Sequence, residues 1–471
     1  MFCSCRVLSL TTPSRPKLAF LAMFLMSSLN AENLDALMDG FDEEPKVKTE
    51  IKKDAVDDIM EGFDDEPISS SKKNNSKKPK VKEAQGALTG RITEQTAYAY
   101  SSETPHDNFS SLKSSLLLDY EYKFENGFKF KTNAKAYYDA IYSLRGREKY
   151  TKDELHELES EVELFDAYIE GSLADNLDMK LGRQVVVWGR SDTIRITDVL
   201  NPLDNRRPGI VDIEDLRLPV AMAKFDYFVD DWRITPMAIL EQRFSKNPPA
   251  GSVFNASSTS IPNDEKHNDI LPALSIGAEF SGWDANFYAA QLRDDAGYFA
   301  NGKLQHDKVN MFGAAFNVLN GSWLLKSELA HFDGLKYTTT QQKEFKRSDG
   351  LVGVEYNGIA DTLISYDASL RKIHDYDNRL KNERFEVQED TYQHAFRVSS
   401  DFMNATLHAN YLVSLFGKSL DKGGFQRAWI KYDIADAIYA NVGVIDYLSG
   451  SQQFDAIADN DMIFLDVSYS F

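Results

Sequence analysis

The last eleven residues constrain the chain most. From Asp461 to Phe471 the side chains of Ile463, Leu465, Val467, Tyr469 and Phe471 alternate with Asp466, Ser468 and Ser470, the period-two pattern of a strand with one apolar and one polar face. An apolar row at a chain end templates aggregation unless something covers it. A transmembrane barrel removes that edge by pairing the last strand with the first and turning the apolar row toward lipid. The alternative is an edge strand of a soluble sandwich, and the rest of the chain decides between the two.

The 471 residues exceed one ordinary soluble domain and suit a single barrel with a tail. Residues 1–31 read as a signal peptide: Arg6, Arg15 and Lys17 precede the apolar run Leu18 to Met26, which is too short to span a bilayer as a mature helix. Small residues then lead to Ala31, although Leu29 stands where a small residue is preferred. Cys3 and Cys5 precede the run, so they are not an acylation site, and the mature chain has no cysteine for disulfides or thiolate metal sites. The leader holds three basic residues and no acidic ones, so its removal takes the net charge from −20 to −23. That balance argues against nucleic acid as a partner, which would need a basic face. No later run reaches about 18 apolar residues, so no membrane-spanning helix is expected.

Residues 32–88 read as an acidic repeat tail and a Lys-rich linker, mostly disordered. The string from Leu34 to Pro45 recurs 22 residues later from Val56 to Pro67, each copy ending Gly-Phe, an acidic run and Pro. Leu37, Met38 and Phe41, and in the second copy Ile59, Met60 and Phe63, fit a tether that lays apolar side chains into the groove of a periplasmic partner. A solvated acidic spacer fits equally. The spacing does not match a calcium loop.

Over 89–471 alternating stretches recur, separated by short turns and longer polar loops in rotation. We place strands at about 90–100, 111–124, 128–142, 161–173, 177–188, 219–229, 232–243, 271–281 and 283–293. The series continues at about 307–319, 321–333, 348–357, 361–372, 390–402, 404–416, 424–435, 437–447 and 461–471. This makes an all-β transmembrane antiparallel barrel of about 18 strands, with 16 as the alternative count. Short turns such as Glu125-Asn126-Gly127, Asp230-Asp231 and Ser281-Gly282 carry the residues that accept positive φ. With a periplasmic N-terminus every short turn falls on the periplasmic side and every long loop outside.

Alternation assigns the faces. Lys129, Lys131, Asn133, Lys135, Tyr137 and Asp139 face inward on the third strand. Asp166, Tyr168, Glu170 and Ser172 do so on the fourth, and Arg427, Trp429, Lys431 and Asp433 on the sixteenth. Charges of both signs imply a water-filled lumen. Arg183 breaks the pattern: with Leu181 and Val185 facing lipid it would do so too, at about 2–4 kcal/mol near the midplane. A bulge near Gly182 that re-aims Arg183 inward is therefore expected.

The C-terminal stretch, with its terminal Phe471 and Tyr469 two residues before, resembles the signature of Gram-negative outer-membrane barrels that the barrel assembly machinery reads. Gly182-Arg183-Gln184, Trp188-Gly189, Asn201-Pro202-Leu203-Asp204 and Arg207-Pro208 together resemble a family of Gram-negative outer-membrane proteins known only as a domain of unknown function. Its members are often encoded beside transporters of the resistance-nodulation-division class. The resemblance covers about 40 residues, and implies a barrel and transport without naming a solute or supplying catalytic residues.

Residues 189–218 form a connection too apolar to wave in water, with Ile194, Ile196, Val199, Leu200, Ile210 and Ile213. The nearest surface that could cover them is the barrel wall, so the loop should fold inward and narrow the pore. Arg190, Arg195, Arg206 and Arg207 then meet Asp192, Asp198 and Asp204, with Arg183 close by. Opposite charges across a narrow passage would set a transverse field. The alternative is that they pair within the loop and merely fold it.

Catalysis finds little support. The eight histidines lack paired metal-ligand spacing, and no nucleophile elbow or phosphate loop occurs. His394 and His408 are the least poor candidates for a Ser-His hydrolase, and Asp375, Asp377 and Asn378 for a cation site. The reading is an outer-membrane porin-like channel for a polar or amphiphilic solute, in contact with outer-membrane lipid and the assembly machinery, without cofactor or metal. It is open to coupling with a periplasmic or inner-membrane transporter. The alternatives are a barrel anchor whose tail docks a partner, and an outer-membrane hydrolase.

Overall fold

The computed structural model describes residues 85–101, 108–257, 259–264 and 267–471. The expected leader and both tail repeats, with Leu37, Met38, Phe41, Ile59, Met60 and Phe63, lie outside the described residues.

The first strands are β1 (Gln85–Ala99), β2 (Asn108–Lys123), β3 (Lys129–Asp139), β4 (Ser160–Ala174), β5 (Leu177–Gln184), β6 (Val220–Val229), β7 (Trp232–Ile239), β8 (Leu271–Phe280) and β9 (Trp283–Arg293). A small hairpin, β10 (Tyr298–Ala300) with β11 (Lys303–Gln305), stands outside the main sheet. The sheet continues with β12 (Lys308–Asn320), β13 (Trp323–Leu335), β14 (Phe345–Ile359), β15 (Thr362–Ile373) and β16 (Asp390–Phe402). It ends with β17 (Leu407–Phe416), β18 (Gly424–Ala435), β19 (Ile438–Leu448) and β20 (Met462–Ser470). Each of the 18 expected strands corresponds to one strand of an 18-stranded antiparallel sheet, and only the β10–β11 hairpin was not foreseen.

The sheet closes. β1 pairs with β20 from Ala99 opposite Met462 to Arg91 opposite Ser470. The Phe471 N–H then donates to the Gly90 carbonyl at 2.9 Å, and the Gly90 N–H to the Phe471 carbonyl at 2.8 Å. A side chain at position 90 would overlap the Phe471 ring, so glycine is what lets the last aromatic lie flat on the seam. Alternation follows the sequence: Ile463, Leu465, Val467, Tyr469 and Phe471 are exposed on the outer face, while Phe464, Asp466 and Ser468 are buried on the inner one. Other outward residues are barer still, Val162 at 83% and Val352 at 68% exposure. Such a girdle has no stable place in water and fits hydrocarbon.

Positive φ occurs in the turns expected to need it, at Gly127, Asp230 and Gly282. Several boundaries differ from expectation: β1 begins at Gln85, so the barrel starts before the expected residue 89, β3 ends at Asp139 and not at 142, and β7 at Ile239 and not at 243. β5 stops at Gln184 and not at 188, because the side-chain oxygen of Asn201 takes the Val186 N–H at 2.8 Å and draws the chain off the wall. The bulge expected near Gly182 is absent, since register runs unbroken through Gly182 on both sides. The extra residue sits instead in β4, where Thr132 pairs with Ala167 but Ala134 with Leu164. Gly182 absorbs the local twist through φ 133°. Arg183 lies beside the β4 bulge, donating to the Leu164 carbonyl at 3.0 Å and pairing with Glu241. Its charge is met one residue from the strand end, so re-aiming is not required.

Candidate functional site

Residues 185–219, between β5 and β6, form a strap held at its base by Asn201. The buried Asn201 accepts from the Val186 N–H and donates to the carbonyls of Gln184 (3.3 Å) and Leu218 (2.8 Å), so one amide ties both ends of the segment together. Further in, the Leu218 N–H bonds the Pro202 carbonyl at 2.8 Å and the Asp204 N–H the Leu216 carbonyl at 2.7 Å. Lys246, from the loop between β7 and β8, adds a third backbone run by donating to Leu203 and accepting from Asn205.

The first arm of the strap lies on β9, β13 and β15. Glu328 of β13, only 1% exposed, accepts four bonds: Arg190 N–H at 2.6 Å, Ser191 N–H at 2.9 Å, Thr197 N–H at 3.1 Å and Thr197 Oγ1 at 2.7 Å. Asp367 of β15 accepts from Ser191 Oγ (2.7 Å) and Thr193 Oγ1 (2.6 Å), and Asp284 of β9 from the Arg190 guanidinium (2.5 Å). Trp188 stacks on Tyr288 of β9 with ring centroids 4.6 Å apart. With Ile194, Ile196 and Leu200 it packs on inward residues that include Met222, Leu271, Met311 and Phe332.

The second arm reaches the other side. Arg206, 7% exposed, binds Asp204 at 2.6 Å, Glu161 of β4 at 2.7 Å and the Glu157 carbonyl at 2.5 Å. Arg207 binds Asp139 of β3 at 2.9 Å and the Ser111 hydroxyl of β2 at 3.0 Å, while Asp139 is fully buried. The Pro208 carbonyl accepts from Tyr447 of β19 at 2.6 Å, and Asp212 pairs with Arg397 of β16 and Arg427 of β18. Ile210 packs against the cluster of Ile445, Tyr447, Met462 and Phe464. Passing through β4 to β9 and then β12, β3 and β13 stand eight steps apart round the ring of 18. A segment bonded to both must cross the lumen.

The remaining sequence-predicted residues fall into two groups. Arg195 and Asp198 are used inside the strap, paired at 3.0 Å, with Arg217 also on Asp198 at 2.9 Å. Asp192 is different: although it pairs at 3.5 Å with Lys326 of β13, its side chain is 51% exposed and presents charge to open space. Arg206 and Arg207 present little, Arg206 being buried among Asp204 and Glu161 and Arg207 being held on the buried Asp139. Burial works against charge on Asp204, but the hydrogen bonds and charge of Arg206 outweigh it and hold the carboxyl below the ordinary aspartate range. Asp139 and Arg427 are read from the sequence as lumen residues but not as strap partners, and Glu328 and Asp367 are not singled out at all. Their inward alternation was readable, but nothing local marks which inward charge meets the strap.

Of the catalytic candidates, His394 bonds the Tyr366 hydroxyl at 2.8 Å and His408 lies between Asp401 (2.6 Å) and Asp433 (3.3 Å). His408 stands opposite Asp401 and His394 opposite Leu415, so the two occupy different levels of the β16–β17 pair. Asp377 accepts from the Arg379 N–H and pairs with its guanidinium at 2.8 Å, which closes a turn. Sequence reading does not single out Ser348 of β14, whose hydroxyl lies 3.0 Å from Nδ1 of His331 on β13 and 2.8 Å from Nε2 of His374, the residue after β15.

A closed antiparallel barrel of 18 strands with an apolar outer face has the fold of the outer-membrane porins. The chain belongs to the family described as Protein of unknown function (DUF1302), which matches residues 70–471. Among solved structures it is similar to Pseudomonas aeruginosa OccK9 (OpdG), at 12% identity and TM-score 0.50, over 83% of this chain and 99% of that one. Acinetobacter baumannii OccAB3 is similar at 11% identity and TM-score 0.49, over 83% and 99%. Pseudomonas aeruginosa OccK8 (OprE) follows at 13% and 0.48, over 83% and 98%. At these identities the likeness is one of fold. A search of curated proteins gave no match.

Proposed function

We propose that the protein is a channel of the bacterial outer membrane that passes a polar or amphiphilic solute, with the strap 185–219 as its filter. The observation that carries the reading is the strap bonded to opposite walls of a closed barrel whose β2 to β5 wall carries a ladder of inward charges. A structural plug would not need a lumen lined by ion pairs such as Lys129–Glu170 at 2.8 Å. Recording from the purified, leader-free protein in planar bilayers should give discrete conductance steps. Neutralising the exposed Asp192 as Asp192→Asn should move the reversal potential in a salt gradient toward anions. A bilayer that stays silent at all voltages would remove the channel reading.

A second reading draws on the repeated tail string: the barrel also anchors a docking motif, through Leu37, Met38, Phe41 and their repeats, for a periplasmic partner such as a transporter complex. Deleting residues 32–67 should abolish co-purification of that partner and leave conductance unchanged.

A further inference from the structure

We propose that Arg397 and Arg427, with the Trp429 ring beside them, form a binding site for small monocarboxylates bearing an apolar body, and that Asp212 of the strap occupies this site as an internal ligand. The proposal names the solute class for the channel read above and rests on that reading.

The two arginines stand on β16 and β18 at one level, since Leu412 of β17 is the register partner of both. Each takes one oxygen of the same carboxylate: Arg427 Nη2 donates to Asp212 Oδ1, and Arg397 Nη2 to Oδ2 at 3.3 Å. Two guanidiniums thus share one short acid. Arg427 is only 3% exposed, yet its Nε has no partner, and its Nη1 makes one bond, to the Gly209 carbonyl at 3.2 Å. A buried guanidinium with five N–H donors is costly when donors go unmet. The clasp therefore has donors to spare for an acid held more squarely, by two parallel bonds.

The surroundings specify the rest of the ligand. The Trp429 ring lies 3.9 Å from the Arg427 guanidinium and 5.9 Å from that of Arg397, giving an apolar face next to the charge. Two residues before Asp212, Ile210 packs on the same apolar cluster as Trp429, with Ile445, Met462 and Phe464. Asp215, exposed and within the field of Arg427, adds a negative charge that disfavours a dianion such as a phosphate monoester. A single carboxylate with a flat or aliphatic body satisfies all of these. When it displaces Asp212 it releases one attachment of the strap, so binding and passage are linked.

The test uses leader-free protein in detergent micelles and in planar bilayers, with benzoate as probe, benzamide as its neutral counterpart and acetate as the acid without a body. Asp212→Asn removes the internal competitor. It should bind benzoate about tenfold more tightly than wild type in calorimetric titration, as expected when one charge-assisted competitor is withdrawn. Benzamide should not compete, and acetate should compete weakly. Benzoate should also lengthen current interruptions in this variant. Where Asp212→Asn does not fold, Arg397→Gln answers from the other side by lowering benzoate affinity about tenfold against wild type. Equal benzoate affinity in wild type and either variant, or benzamide binding as well as benzoate, overturns the site while channel steps leave the transport reading standing. Tighter benzoate binding in a protein that never conducts keeps the site and sinks the channel.

Discussion

The two ends of the lumen wall are built from the same alternating strands and differ in what their inward residues face. Toward the short turns, β2 to β5 carry a ladder of charge, with Lys129 on Glu170 at 2.8 Å, Lys180 on Glu170 at 3.6 Å and Lys131 on Asp119 at 3.8 Å. Toward the long loops, inward positions of β6 to β15 are apolar: Met222, Ile239, Leu271, Met311, Phe332 and Leu351 are all buried. The first set is stable only with water beside it, the second only with water excluded. The cover is the strap, whose Trp188, Ile194, Ile196 and Leu200 each bury a side chain worth about 1.5–3 kcal/mol. The strap is therefore part of the barrel's core at one end and a partition at the other.

That contrast can be broken most severely at its apolar end. Trp188→Ala empties the stack on Tyr288 and should cost about 3–5 kcal/mol, read as a large fall in the thermal midpoint together with noisier and larger single-channel currents. A fall in stability with unchanged currents would mean that the strap does not limit the pore. Glu328→Gln comes next. An amide offers one acceptor oxygen where the carboxylate offers two, and turns an NH₂ toward N–H donors. About 2–3 kcal/mol of attachment should be lost, with the Arg190–Thr197 amides becoming fast to exchange hydrogen.

Much of this architecture was legible in the sequence, for a physical reason. A strand between lipid and water must alternate, and a hairpin turn needs residues that accept positive φ, so the strands from Gln85–Ala99 to Met462–Ser470 were readable one by one. The inward course of the strap was readable from Ile194, Ile196 and Leu200, since apolar side chains in a long loop must find cover. Its attachments were not. Arg190 and Glu328 are 138 positions apart, Ser191 and Asp367 176, Asp212 and Arg427 215, and only the closed ring brings such pairs together. For the same reason Arg206 and Arg207 read as pore charges when seen beside each other in sequence, whereas Glu161 and Asp139 neutralise them from the wall. At Gly182 alternation demanded a bulge. The neighbouring strand carries it, and Glu241, 58 positions away, supplies the charge partner of Arg183.

Acid sharpens the comparison with a smaller effect. Asp204 is held below the ordinary aspartate range by Arg206, despite burial. A depressed folded value means that its contribution is present above the unfolded value near 3.9 and is lost only as pH falls through the lower, folded one. The second arm should thus keep its grip from neutral pH down to about 4, with conductance steps of constant size, and loosen only in stronger acid. Asp204→Asn should remove that acid transition. A transition retained in this variant would assign it to another carboxylate.

The smallest effect is expected at the wet end. Lys129 keeps 30% of its side chain exposed and is bonded to Glu170 across the ladder. Because water already solvates both partners, Lys129→Gln should change stability by less than about 1 kcal/mol. It also takes one positive charge from the lumen wall, so ion selectivity should move toward cations while the melting midpoint stays in place. A destabilisation as large as that of Trp188→Ala would mean that the charged end of the wall is packed and dry, and the difference between the two ends would disappear with it.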